Sequence, residues 1–162
     1  MRYHDITKDD MKNGDGLRVV LWVSGCAHRC PGCHNPVTWD PEDGLEFDPA
    51  AEAEIFQELK KEHISGITFS GGDPLFPANR AEIGRLIEKI AGNCPDKTIW
   101  LYTGYLWEEI RDLPFIAKVD VVVDGRYEEA LRDPRLHWKG SGNQRVINVK
   151  KTIESGAVIL HS

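Results

Sequence analysis

The sequence predicts an α/β fold: an open, partial (β/α) barrel on a mainly parallel sheet of about five strands. Three observations predict it. β-rich runs alternate with helix-like runs along the chain. The Val- and Ile-rich runs lack the clean alternation of a sheet with one wet face. The 162 residues are too few for a closed eight-stranded barrel, which takes roughly 250. The expected strands are Arg18–Val23, Ile64–Phe69, Thr98–Tyr102, Val119–Val123 and a weaker Arg145–Val149. Asp48-Pro49 signals a helix start, with a carboxylate cap and Pro at the first helical position, and Ile55 and Leu59 follow at i, i+4. Asn79 with Glu82 reads as a variant capping box. Ile83, Leu86, Ile87 and Ile90 then form an apolar stripe, and Gly92 is the stop signal. A shorter helix is expected over 106–112. Helices between parallel strands imply right-handed crossovers.

Composition narrows the function. No linker or repeat divides the chain, so 1–162 is expected to be a single domain. Lys and Arg number 20 against 26 Asp and Glu, a net charge of −6, which disfavours a nucleic-acid partner. No apolar run approaches the roughly 20 residues of a membrane span. The opening MRYHDITKDD has no apolar signal segment, so the cytoplasm is the expected location. The acidic residues of 42–62 read as a solvated loop and helix face.

The unusual patches each follow a strand: 24–39 after the first, SGGDPL (70–75) after the second, TGY (103–105) after the third and DGRY (124–127) after the fourth. In parallel α/β folds these strand ends share one edge, where ligands bind. Four segments are therefore expected to meet at one site. The first patch holds three of the four cysteines, Cys26, Cys30 and Cys33, spaced C-x3-C-x2-C. Clustered thiols in a reducing compartment point to metal chemistry rather than disulfides. Three contents fit the spacing: a structural zinc with His34 as fourth ligand, an iron–sulfur cluster with one iron left open, or incidental thiols. Cys94 stands alone and reads as a small packing residue.

The C-x3-C-x2-C loop after one strand and SGGDP after the next resemble the radical S-adenosylmethionine superfamily. NGDGLRVVLWVSGCAHRCPGCHNPVTW, IWLYTGY, VDVVVDGRY and WKGSGNQR, in that order, resemble the activating proteins of anaerobic ribonucleoside-triphosphate reductase, from about Tyr3 to Val149. The resemblance implies one [4Fe-4S] cluster, held by Cys26, Cys30 and Cys33, whose open iron is chelated by S-adenosyl-L-methionine. It implies reductive cleavage of that cofactor to a 5′-deoxyadenosyl radical. The protein substrate it implies is the reductase large subunit, which gains a glycyl radical, and the electron donor is of flavodoxin type. Cofactor binding is expected at His34, Asn35, Ser70, Gly71, Gly72, Asp73, Thr103 and Asp124. Two glycines in the 70–73 turn let backbone carbonyls approach the cofactor's amino group. A side chain there is expected to hurt cofactor binding and spare the cluster, which sits on another loop.

Other residues carry weaker expectations. His28 lies inside the cysteine loop, either near the cluster or in solvent, and Trp39 is a family match that fits a core position equally. Asp124 ends an apolar strand at the functional edge, where cofactor contact and turn capping compete. Ser141, Asn143, Gln144 and Arg145 suggest ligand contact or partner docking. Two rivals remain at this level: an activase of a different glycyl-radical enzyme, and a non-catalytic, zinc-stabilised interaction module.

Overall fold

The computed structural model describes residues 1–161. Its strands are β1 (Arg2–Asp10), β2 (Leu17–Val23), β3 (Leu45–Glu46), β4 (Ile64–Gly71), β5 (Thr98–Tyr102), β6 (Val121–Asp124) and β7 (Arg145–Asn148). Its α-helices are α1 (Pro49–Leu59), α2 (Arg80–Asn93), α3 (Trp107–Ile110) and α4 (Val149–Ser155). The strands form one sheet, ordered β3-β1-β2-β4-β5-β6-β7, with β3 and β7 as its edges. It is open. β2, β4, β5 and β6 run parallel, joined by crossovers that carry α1, α2 and α3. The flanking pairs β1–β2, β1–β3 and β6–β7 are antiparallel.

All five expected strands are present, and two more join them. The parallel character is confined to the middle: three of the six pairings are antiparallel. β1 escapes sequence reading because only Ile6 of RYHDITKDD is buried, and its register shifts twice along β2. β3 is two exposed residues.

Local signals are borne out unevenly. Asp48 caps α1 by accepting from the Ala51 N–H at 2.9 Å. The Asn79–Glu82 capping box does not form. Asn79 instead donates its amide to the Ser24 carbonyl at 2.8 Å, tying the start of α2 to the end of β2. Gly92 lies within α2, which runs on to Asn93. The helix α4 was not expected, although Asn148 caps it and Gly156, at φ 76°, closes it.

Side chains alternate between the two sheet faces. Val19, Leu21, Ile67, Phe69, Ile99, Leu101, Val122 and Ile147 face the buried sides of α1 to α4 in the main core. The other face carries Arg18, Thr68, Trp100, Tyr102, Val121 and Val123, and loops rather than helices cover it. Trp138 packs edge-on to Trp100 at 5.0 Å, and the Tyr102 hydroxyl donates to the Trp138 carbonyl at 2.6 Å. Arg18 is fully buried on this face. Its guanidinium donates to Thr68 Oγ1, Thr98 Oγ1 and the carbonyls of Asp15, Ile67 and Thr98 at 2.8–3.0 Å. Burial lowers its pKa to about 10. Toward the C-terminal ends of the parallel strands, this loop-covered face opens into a cavity.

Candidate active site

The cavity measures about 510 Å³. Its wall is built from segments following all four parallel strands: Cys26 to Trp39 after β2, Ser70 to Asp73 from β4, Thr103 and Gly104 after β5, and Gly125 and Tyr127 after β6. Residues of 132–144 and the β1–β2 turn complete it. Of the expected site residues, Cys26, Cys30, Cys33, His34, Asn35, Ser70, Gly71, Gly72, Asp73 and Thr103 line this one cavity. Asp124 does not.

The cysteine loop is pinned at its neck, where the Gly25 and Cys26 N–H groups donate to the Thr38 and Trp39 carbonyls at 2.7 and 3.1 Å. Within it, Arg29 takes a left-handed φ of 49° and Gly32 one of 74°. The turn at Arg29 brings the backbone N–H groups of His28 and Arg29 toward the Cys26 thiol. Burial pushes that thiol's pKa up, and the two N–H groups oppose the shift. Backbone concavities of this kind recur at iron–sulfur sites. The Asn35 N–H reaches Cys33 Sγ at 3.4 Å. His34 is exposed and leans on Tyr127, ring centroids 5.0 Å apart.

The 70–73 turn packs directly on this loop. Gly72 N–H donates to the Val23 carbonyl at 2.8 Å, and Asp73 N–H to the Gly25 carbonyl at 2.7 Å. A Cβ on Gly72 would lie 2.5 Å from the Gly25 oxygen and 2.6 Å from the Thr38 oxygen. Gly71, at φ 109°, would press a Cβ to 2.4 Å from the Val23 nitrogen. Gly72 is therefore required by the contact between turn and cysteine loop, and Gly71 by its positive φ and the close approach of β2. The expectation that a side chain at Gly72 would spare the cluster loop is corrected: the loop's own backbone occupies that space.

Asp73 is the hub of the wall. It is 1% exposed. Its carboxylate accepts from Leu75 N–H (2.9 Å), Thr103 Oγ1 (2.9 and 3.1 Å) and Gly104 N–H (2.9 Å), and pairs with His28 Nε2 at 2.7 Å. Thr103 is thus positioned by Asp73. Tyr105 packs on the His28 ring and lies beneath Arg80 at 5.0 Å.

Asp124 is fully buried but occupied by protein partners. Arg145 donates to it at 2.5 and 3.1 Å and the Trp107 N–H at 2.8 Å. Arg145 also bridges to Glu108 at 2.8 Å, and these carboxylates hold its guanidinium firmly protonated. Asp124 is therefore closed off from the cavity, while the Arg145 side chain stays partly exposed. Gln144 and Ser141 likewise build their own loop: Gln144 Oε1 accepts from the Gly140 and Ser141 N–H groups, and Ser141 Oγ accepts from Glu128 N–H.

The donor set fits an iron–sulfur cluster. Three half-buried, unpaired thiols line one cavity. Among the described residues, no three His, Cys, Asp or Glu side chains gather about a single-ion position. Iron–sulfur clusters are held by cysteine thiolates. Trp39 Nε1 is buried with no partner, on a side chain that lines the same cavity. Sequence reasoning names both Trp39 and His28 but leaves their roles open; the orphaned Nε1 and the burial of the His28 side chain depend on contacts distant in sequence.

A family model described as a 4Fe-4S single cluster domain matches residues 12–147. A protein of Enterobacteria phage T4 named anaerobic ribonucleoside-triphosphate reductase-activating protein is 45% identical over 146 residues, covering 90% of this chain and 93% of the relative. Its namesake in Escherichia coli K12 is 42% identical over 154 residues, covering 93% and 100%. That of Vibrio cholerae is 42% identical over 151 residues, covering 89% and 96%. No helix among the described residues is long and apolar enough to cross a membrane.

Proposed function

The chain belongs to the family of anaerobic ribonucleoside-triphosphate reductase-activating proteins, and from that premise we propose that it installs a glycyl radical on the reductase large subunit by reductive cleavage of S-adenosyl-L-methionine. The supporting observation is the single cavity at the C-terminal ends of the parallel strands, where Cys26, Cys30 and Cys33 meet the 70–73 turn. Cys26, Cys30 and Cys33 would hold a [4Fe-4S] cluster, and Ser70, Gly71, Gly72 and Asp73, which line the same cavity, would face the cofactor. When bound, the reduced cluster would supply the single electron that reductive cleavage of S-adenosyl-L-methionine requires, the electron coming from the external donor.

The chain's own residues bind and orient. Backbone N–H groups of His28 and Arg29 point at the Cys26 sulfur and that of Asn35 at the Cys33 sulfur. Asp73 fixes the turn and Thr103, while Trp39, His34 and Asn35 line the same cavity. Asp124 acts through the fold, by anchoring α3 and β7 to β6. The sheet is open, which suits a protein substrate, because a polypeptide segment has to reach the radical. Residues 1–162 act as one catalytic domain, in the cytoplasm, with a flavodoxin-type electron donor.

The test is product analysis. The anaerobically iron-loaded, dithionite-reduced protein should convert S-adenosyl-L-methionine to methionine and 5′-deoxyadenosine in equal amounts. A fully loaded and reduced protein that yields neither would contradict the proposal.

A further inference from the structure

The His28 side chain is 5% exposed, although it sits on a polar loop between two of the cysteines. Its Nε2 lies 2.7 Å from Asp73 Oδ2. With Nε2 as the donor, the Asp73 carboxylate accepts this bond alongside those from Leu75, Thr103 and Gly104. The ring meets Tyr105 edge-on, centroids 4.6 Å apart. It also fills the space beside Gly104, where a Cβ would fall 2.4 Å from the His28 Cδ2. One imidazole therefore touches three segments: the cysteine loop that carries it, the 70–73 turn through Asp73, and the 103–105 segment through Gly104 and Tyr105.

We propose that His28 is a positioning residue that clamps the cysteine loop to the cofactor-facing turn, so that cluster retention and cofactor binding depend on the same hydrogen bond. The proposal rests on the reading that Cys26, Cys30 and Cys33 hold the cluster and that the 70–73 turn faces S-adenosyl-L-methionine. The loop's neck is pinned at Gly25 and Cys26, but its tip has no comparable backbone tie to the turn. The bond from His28 to Asp73 supplies that tie midway between Cys26 and Cys30. Asp73 keeps its other donors without His28, so the turn holds its shape while the loop loses its anchor.

The experiment compares full-length wild type with His28→Ala and His28→Gln, all reconstituted anaerobically with iron and sulfide. Glutamine keeps an N–H donor near the position of Nε2. Two quantities are read: the rate of cluster absorbance loss to excess EDTA, and the S-adenosyl-L-methionine concentration that half-converts the EPR spectrum of the reduced cluster. Loss of a hydrogen bond to a charged partner corresponds to about tenfold or more. His28→Ala is expected to lose its cluster at least about tenfold faster and to need about tenfold more cofactor, while His28→Gln stays within a few-fold of wild type on both. A defect of stability alone would not move the EPR titration in a folded variant. An alanine variant matching wild type on both readouts would overturn the proposal. If the alanine variant did not fold, His28→Gln would decide: retention near wild type supports the clamp, and rapid loss overturns it. A wild type that takes up no cluster would fail the functional reading instead.

Discussion

Replacing Gly72 by alanine tests how the turn and the cysteine loop depend on one another. The new Cβ falls 2.5 Å from the Gly25 oxygen and 2.6 Å from the Thr38 oxygen. Both are backbone atoms at the pinned neck of the loop, so neither can swing aside as a side-chain tip would. Ordinary contact lies near 3.5 Å, and the loop or the turn must move by roughly 1 Å. Overpacking of this kind costs about 1–3 kcal/mol. The same movement strains the bonds from Gly72 N–H to Val23 and from Asp73 N–H to Gly25, at 2.8 and 2.7 Å. Each is worth about 0.5–1.5 kcal/mol. The expected destabilisation is about 2–6 kcal/mol, or roughly 5–20 °C in melting temperature for a chain of this size. The assay is thermal unfolding of the cluster-free protein together with iron content and cofactor binding after anaerobic reconstitution. All three should fall. Normal melting and normal iron content, with only cofactor binding lost, would refute the packing argument.

Three further outcomes follow from the same geometry. Cys26→Ser, Cys30→Ser and Cys33→Ser should each lose most of the iron and all S-adenosyl-L-methionine cleavage, because a serine oxygen does not replace a soft thiolate; iron analysis and product assay check this. Cys94→Ser should keep both, since Cys94 packs against the main core and burial holds its thiol pKa up. Glu52 bonds Lys89 and Arg85, which hold its pKa below the ordinary 4.5, Lys89 most strongly. Its stabilisation is thus complete above the unfolded value and disappears as pH falls through the lowered folded value. Denaturation across this acid range should show a flatter stability decline for Glu52→Gln than for wild type.

The site was legible where chemistry is written locally. The cysteine patch, SGGDP and TGY each follow a Val- or Ile-rich strand, and parallel topology brings such strand ends to one edge. That reasoning needed no knowledge of side-chain contacts, and the common cavity is its structural counterpart. What stayed illegible depends on register and on partners distant in sequence. Asp124 and Arg145 face each other because β7 pairs antiparallel with β6, so a carboxylate that looked available at the functional edge is occupied. Asn79 has the chemistry of a helix cap but bonds a carbonyl 55 residues away in sequence. His28 is buried only because Gly104 leaves room for its ring. β1 lacks apolar alternation because only Ile6 of its nine residues is buried.

The central claim is that this cavity delivers a radical to another protein. Its most direct measurement is EPR of an anaerobic mixture of the reduced, iron-loaded protein, S-adenosyl-L-methionine and the large subunit of an anaerobic ribonucleoside-triphosphate reductase from the same source. A glycyl-radical doublet should appear on the reductase, require the cofactor, and vanish when Cys30→Ser replaces the wild type. A reductase that stays EPR-silent with fully loaded, reduced activator and cofactor present would contradict the account.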